Sequence, residues 1–177
     1  MKVLLIAAMT ADGYIAKDKD HLATDWTNPE DKYLFTHFVK DLGGNMVMGL
    51  NTFVTIAKKF PTVFNKAIPG RRLLVYTYNP EDVVPYPNVE AVTEPPEKLV
   101  RRLAKEGLKN LTVCGGAQIY TMFMQAGVVD ELYIDMQATV FGGGVTIFNG
   151  PIDATISLQE IKRLGDNNVL LQYKVEK

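Results

Sequence analysis

Apolar runs of strand length alternate with stretches of helical period along most of this chain, and glycine, proline or asparagine marks the changes. This alternation narrows the choice of fold more than any other feature. Parallel strands need crossover segments between them, and helices usually form those crossovers, so the pattern predicts a mostly parallel central sheet with helices on both faces. Val3–Met9 reads as the first strand, apolar throughout and therefore buried on both faces. A polar loop over Thr10–Thr27 follows. The next helix has a well-marked start, with Asn28 as N-cap, Pro29 at the first helical position, and Glu30 and Asp31 in the first turn. Leu34, Phe35, Phe38, Val39 and Leu42 give it an apolar face, and Gly43-Gly44 end it.

The alternation continues with a strand at Asn45–Gly49, a helix from about Asn51-Thr52, a loop over Lys58–Pro69 and a strand at Arg71–Thr77. Turns at Asn79-Pro80, Pro85 and Pro87 lead to a strand at Val89–Val92. Pro95-Pro96 open a helix to about Glu106. A strand at Leu111–Cys114, a turn at Gly115-Gly116, a helix over Gln118–Gln125 and a strand at Val129–Ala138 come next. Ile156–Ile161 and Val169–Val175 have no helix between them, which predicts a C-terminal antiparallel hairpin at the edge of the sheet. No repeat or linker interrupts the 177 residues, so the expectation is one α/β domain over 1–177.

Charge and composition exclude several function classes. Lys+Arg 19 against Asp+Glu 20 leaves a net charge of -1, which argues against a protein that holds nucleic acid through bulk charge. The N-terminal apolar run is too short to cross a membrane. Cys114 is the only cysteine and His21 and His37 are the only histidines, so no zinc cluster has its usual spacing and no metal is expected. The expectation is a cytoplasmic protein, monomer or homodimer, whose partner is a small molecule rather than nucleic acid or membrane.

In open α/β sheets, ligands bind beyond the carboxyl ends of the strands, where helix N-termini offer free N–H groups. Met48-Gly49-Leu50-Asn51-Thr52, Cys114-Gly115-Gly116-Ala117-Gln118 and the strand end at Thr77 are such junctions, and together they could hold the phosphates of a nucleotide. None is a G-x-G-x-x-G fingerprint or a P-loop, and Gly115-Gly116 serve equally well as an ordinary tight turn. Asp31 has two readings. It is a first-turn carboxylate favoured by the helix dipole, or an acid on the inner side of the helix that bonds a heterocycle and helps supply a proton. Arg71 and Arg72 are adjacent in a strand, so one of them should face the cleft side, where an arginine fork suits a carboxylate or phosphate.

Several segments join these pieces. Leu5-Ile-Ala-Ala-Met-Thr-Ala-Asp-Gly-Tyr-Ile-Ala16, Trp26-Thr-Asn-Pro-Glu-Asp31-Lys-Tyr-Leu-Phe35 and Val47-Met-Gly-Leu-Asn-Thr-Phe53 are followed by Pro69-Gly-Arg-Arg72, Val113-Cys-Gly-Gly-Ala-Gln-Ile-Tyr120 and Leu132-Tyr-Ile134. In this order, over nearly the whole chain, they resemble dihydrofolate reductase. The resemblance implies hydride transfer from NADPH, with NADH as an option, to the pterin of dihydrofolate. It implies that Asp31 grips the pterin amino edge and promotes protonation of the imine nitrogen. Ile6, Ala7, Phe35, Ile56 and Cys114 would line the pterin pocket, and Arg71 would pair with the carboxylate of the glutamate tail. Ala8 and Ile15 would meet the nicotinamide. Gly49, Asn51, Thr52, Thr77, Gly115, Gly116, Ala117, Gln118 and Tyr120 would hold the rest of the cofactor.

Three positions depart from that pattern. Leu50 stands where the family often has an arginine for the adenosine 2′-phosphate, Asp135 stands where a threonine usually supports the acid, and Lys32 replaces an apolar pocket residue. Ala126-Gly-Val-Val-Asp-Glu-Leu132 and Phe141-Gly-Gly-Gly144 resemble instead the pyrimidine reductase of riboflavin synthesis. That sister family shares the fold and NADPH, reduces a ribosylamino-pyrimidine phosphate and is often dimeric. Dihydrofolate reduction is therefore the leading expectation and the pyrimidine reduction the alternative. A third reading is a nucleotide- or folate-binding module without turnover.

Overall fold

The first apolar run becomes β1 (Lys2–Thr10), the strand around which this computed structural model is organised. The structure describes residues 1–40, 44–65, 71–86 and 89–177, without the side chains at 33, 35 and 38–40. In chain order the further elements are β2 (Tyr14–Ala16), α1 (Pro29–Lys40), β3 (Met46–Gly49), α2 (Leu50–Lys59), β4 (Leu73–Tyr76) and β5 (Val89–Val92). After these come α3 (Pro96–Lys105), β6 (Asn110–Val113), α4 (Ala117–Gln125), β7 (Glu131–Gln137), β8 (Val145–Thr146), β9 (Ile156–Arg163) and β10 (Asn168–Val175).

The main sheet is eight-stranded, in the order β5-β4-β3-β6-β1-β7-β10-β9. From β5 to β7 every pairing is parallel, whereas β10 runs antiparallel to β7 and β9 antiparallel to β10. The expected parallel sheet with a C-terminal antiparallel hairpin is the fold observed. Right-handed crossovers put the helices on both faces: the chain steps one way across the sheet through α1 and α2, and back through α3 and α4. Side-chain alternation then divides the core. Val3, Leu5 and Ala7 of β1 pack with Leu99 and Leu103 of α3 and Phe123 of α4. Leu4 and Ile6 face the other way and cluster with Tyr133, Leu170 and Leu34 of α1. Phe53 of α2 packs with Met46, Met48 and Val75 on this second face.

The helix starts differ in a way that matters for function. At α1, the Asp31 backbone N–H donates to Asn28 Oδ1 at 3.4 Å, the N-cap expected of that asparagine. By contrast α2 and α4 begin directly on Gly49 and Gly116, and neither N-terminus has a side-chain cap. The polar loop over 10–27 also contains more structure than its sequence suggests. Its β2 pairs with β8 in a separate two-stranded sheet, and Ala23–Asp25 form a 3-10 turn. Asp12 ties the two segments together, accepting the backbone N–H groups of Phe141 at 3.1 Å and Gly142 at 2.7 Å. These partners are far apart in sequence and too short to show a period.

Leu42 and Gly43, the loop end at Pro69, the turn at Pro87 and the side chains of Phe35, Phe38 and Val39 lie outside the described residues. Among the described residues no helix is long and apolar enough to cross a membrane. Phe53, fully buried, stacks on Phe64 with ring centroids 4.6 Å apart and meets Tyr86 edge-on at 4.9 Å. Phe53→Ala should therefore cost about 3–5 kcal/mol in denaturant unfolding, whereas Phe60→Ala, at an exposed ring, should stay within about 0.5 kcal/mol. Equal losses would show that α2 is not anchored through this ring cluster.

Candidate active site

Two uncapped helix N-termini meet at the carboxyl edge of the sheet. The Gly49 N–H donates to the Gly115 carbonyl at 2.9 Å, which joins the start of α2 to the turn before α4. Gly115 has φ +113°, a conformation side-chain-bearing residues rarely adopt, and the Gly115–Gly116 peptide is cis. A Cβ at Gly116 would stand 3.3 Å from Thr52 Oγ1, and one at Gly115 would stand 3.1 Å from the Tyr120 hydroxyl. Bare backbone thus lies between the first turns of α2 and α4, with uncapped N–H groups and positive dipole ends at the same edge. This donor set fits the phosphates of a nucleotide cofactor. Asn51 and Gln118 are exposed there and Ala117 is buried beneath.

Asp31 lies on the same side of the sheet as Ile6. Its carboxyl does not close a capping box, because the Asn28 N–H it would accept points to Gln137 Oε1 at 3.4 Å. It bonds instead to the Thr27 hydroxyl and to Asp135. Burial, reinforced by the nearby Asp135 charge, raises the Asp31 carboxyl from its ordinary 3.8 to about 7, and the Thr27 bond opposes this in part. Asp135 is 1% exposed and sits in register between Ala8 of β1 and Leu170 of β10. Its Oδ1 accepts from Asn168 Nδ2 at 2.9 Å and its Oδ2 from Gln137 Nε2 at 2.7 Å. Burial pushes Asp135 up as well, while the bonds from Asn168, Asp31 and Gln137 pull it down. Sequence reasoning noticed Asp135 but missed Thr27, Gln137 and Asn168. The available signal was Asp135 and Gln137 at alternate positions of the strand, which puts both on one face.

The remaining sequence-derived candidates divide into those at this edge and those away from it. The Ile6 carbonyl accepts the Tyr120 hydroxyl at 2.6 Å, which fixes the middle of β1 against α4. Cys114 bridges the clusters beneath α1 and α2, and Ile56 packs in the latter. Burial pushes the Cys114 thiol up to about 12, so it stays protonated and unreactive. Ala8 is level with Asp135. Ala7 and Ile15 have their side chains in the core on the α3 and α4 face, across the sheet from Asp31. The Phe35 side chain lies outside the described residues. Thr77 closes its own turn, donating to Asp82 Oδ2 at 2.7 Å and accepting from the Asn79 N–H at 3.1 Å. Leu50 packs into the core under α2.

Arg71 precedes β4 at the amino end of that strand, three strands across and about four residues down from Ile6. At ~3.3 Å per residue and ~4.8 Å per strand, this is a separation of roughly 20 Å, so only an elongated ligand could touch both. Arg72 is the arginine that takes the ion pairs, with Glu90 and Glu106. Among the described residues no group of three His, Cys, Asp or Glu side chains could hold a metal ion.

With this geometry in view, the likenesses to known proteins are informative. The family model for the RibD C-terminal domain matches residues 1–170. YwjB, an uncharacterized protein of Bacillus subtilis (strain 168), is 26% identical over 168 residues, which cover 93% of this chain and 92% of YwjB. A putative riboflavin biosynthesis protein from Shewanella sp. PV-4 superposes with a TM-score of 0.75 at 23% identity over the full length of both chains. Dihydrofolate reductase from Enterococcus faecalis, in complex with NADP(H) and RAB-propyl, superposes with a TM-score of 0.68 at 20% identity, covering 99% of this chain and 97% of that one. The parallel sheet with its terminal hairpin is the fold common to all of these structures, and the match over residues 1–170 establishes that the chain belongs to the RibD C-terminal domain family, with the dihydrofolate-reductase-like fold.

Proposed function

We propose that this chain is an NADPH-dependent reductase that adds a hydride to carbon and a proton to nitrogen across a C=N bond of a small heterocyclic substrate. The observation that carries this reading is Asp31, a largely buried carboxyl raised to about 7 and therefore able to hold a proton near neutral pH. The bare backbone between α2 and α4 supports a cofactor site beside it, and a reduced nicotinamide bound there supplies the hydride. The chain's own residues orient and protonate. Asp31 gives its proton to the substrate nitrogen and recovers one from water. Tyr120 holds the β1 carbonyl at Ile6, and the apolar side chains of Ile6 and Ile56 exclude solvent. Leu50 offers no cation to the 2′-phosphate of NADPH, so NADH is a second candidate for the same groove.

The family match favours a ribosylamino-pyrimidine phosphate as substrate, the reaction of riboflavin biosynthesis. A second reading, dihydrofolate, is favoured by one observation. Asp31 keeps the spacing of the Trp26-x-x-Pro29-x-Asp31 segment, and the structure gives it the burial a pterin-protonating acid needs. Loss of reduced-nicotinamide absorbance with the pyrimidine and not with dihydrofolate is the expected result, and the reverse selects the folate reading. Cofactor binding with neither substrate consumed would leave a binding module and overturn the reductase.

Two variants test the site itself. Gly116→Ala should weaken NADPH binding about tenfold in a fluorescence titration, because its methyl group enters the gap beside Thr52. Unchanged affinity would move the cofactor elsewhere. Asp31→Asn should lower kcat/KM by about 100-fold or more while leaving NADPH affinity intact. Its stability should also depend differently on pH. Since the folded-state value is raised, the stabilisation from the Asp31 proton is complete below about 4 and is lost as pH rises through about 7, a change of up to about 4 kcal/mol. Asp31→Asn should abolish this loss and be the more stable form at pH 8. If Asp31 acted only as a helix-terminal charge, the variant would instead be about 1 kcal/mol less stable at that pH.

A further inference from the structure

Two acids and two amides are gathered in one buried cluster, and their hydrogen bonds identify which acid carries charge. We propose that Asp31 and Asp135 form a two-carboxyl, one-proton pair in which Asp135 is the resident anion and the positioning residue that holds the proton on Asp31. The pair itself needs no substrate; only its catalytic consequence rests on the reductase reading above.

The assignment follows from the donors. Gln137 Oε1 accepts a backbone N–H, that of Asn28, which can only donate, so the Gln137 amide nitrogen is the atom that faces Asp135. Asn168 presents its amide nitrogen to the other oxygen of Asp135, leaving its own Oδ1 buried without a partner. The reverse orientation would set that carbonyl against a carboxylate oxygen. Both oxygens of Asp135 thus face N–H donors, an arrangement that suits an ionised carboxylate and leaves poor room for a proton. Among the described residues the donor to Asp31 is the Thr27 hydroxyl, so its own proton completes the contact with Asp135. Two carboxyls in hydrogen-bond contact away from water do not both ionise.

The surrounding elements do not provide an ion pair that would relieve the charge. Among the described residues no salt bridge reaches Asp31 or Asp135. On α1, Lys32 is exposed, and Glu30 lies against the turn at Gly165 and adds negative potential at Asp135. Tyr120 of α4 feels the Asp31 charge and Cys114 after β6 lies near Tyr120, and burial keeps both protonated and uncharged. The neighbours of Asp135 in register on β1 and β10, Ala8 and Leu170, are apolar. A threonine at position 135 could hydrogen-bond Asp31 but would supply no anion to retain its proton.

The test is a carbon-13 NMR titration of the aspartate carboxyls in the protein without cofactor or substrate. In the unaltered chain one near-neutral step is expected, seen most strongly at Asp31 and felt at Asp135. Asp31→Asn should remove that step and leave Asp135 ionised down to mildly acidic pH. Asp135→Asn and Asp135→Thr should move the Asp31 midpoint down by about one unit or more. A near-neutral step that persists in Asp31→Asn would place the proton on Asp135 and overturn the proposal, as would an unmoved Asp31 midpoint in a folded position-135 variant. In the reductase assay, the fall in kcat on the alkaline side should move to lower pH in Asp135→Asn. Absence of turnover with every substrate would refute the reductase reading and leave the NMR result to decide the proton pair separately.

Discussion

Burial of the central residues of β1, Val3 to Ala7, on both faces is the constraint on which the other elements depend. Because successive side chains point to opposite sides, Val3, Leu5 and Ala7 must be covered by α3 and α4, and Leu4 and Ile6 by α1. Its parallel register with β6 and β7 then fixes what lies level with what. Leu5 is beside Val113, just before the glycine pair, and Ala8 is beside Asp135. A slip of one residue would exchange the two faces and separate the acid cluster from the helix termini. The site is thus a product of core packing, with few degrees of freedom left to its loops.

Against that rigid background, burying two carboxyl groups side by side is costly. The helix dipole at Asp31 favours its anion by about 0.3–1 kcal/mol, and the Thr27 bond adds to that, yet the carboxyl is shifted upward. Desolvation and the Asp135 charge therefore outweigh the local helix effects. Amide donors from β7 and β10 make the opposite provision for Asp135. Two identical side chains acquire different chemistry from what surrounds them, and the difference can be traced to particular N–H groups.

Much of this was legible in the sequence, for physical reasons that also set the limits. The order and type of the main strands and helices follow from long apolar periods, and the α1 start follows from the Asn28-Pro29 cap, so both could be read locally. The pairing of β2 with β8 could not, since two short segments over a hundred residues apart carry no periodic signal. Asp31 could be singled out, but whether it closes a capping box depends on where the Asn28 N–H goes, and Gln137 takes it from another strand. Thr77 looked like a phosphate ligand because a strand end precedes it, whereas its hydroxyl is engaged by Asp82 five residues later. Arg71 and Arg72 looked alike in the chain and differ in fact, the second taking carboxylates from β5 and the end of α3.

The contribution of β10 also has a consequence for synthesis. Asn168 is made more than thirty residues after Asp135 and well over a hundred after Asp31, and it belongs to the antiparallel hairpin rather than to the parallel strands. On the ribosome, a nascent chain could therefore pair its parallel strands and still have Asp135 short of one of its amide donors. The acid cluster would be completed last, with emergence of the hairpin, so the order of synthesis alone separates its assembly from that of the parallel sheet.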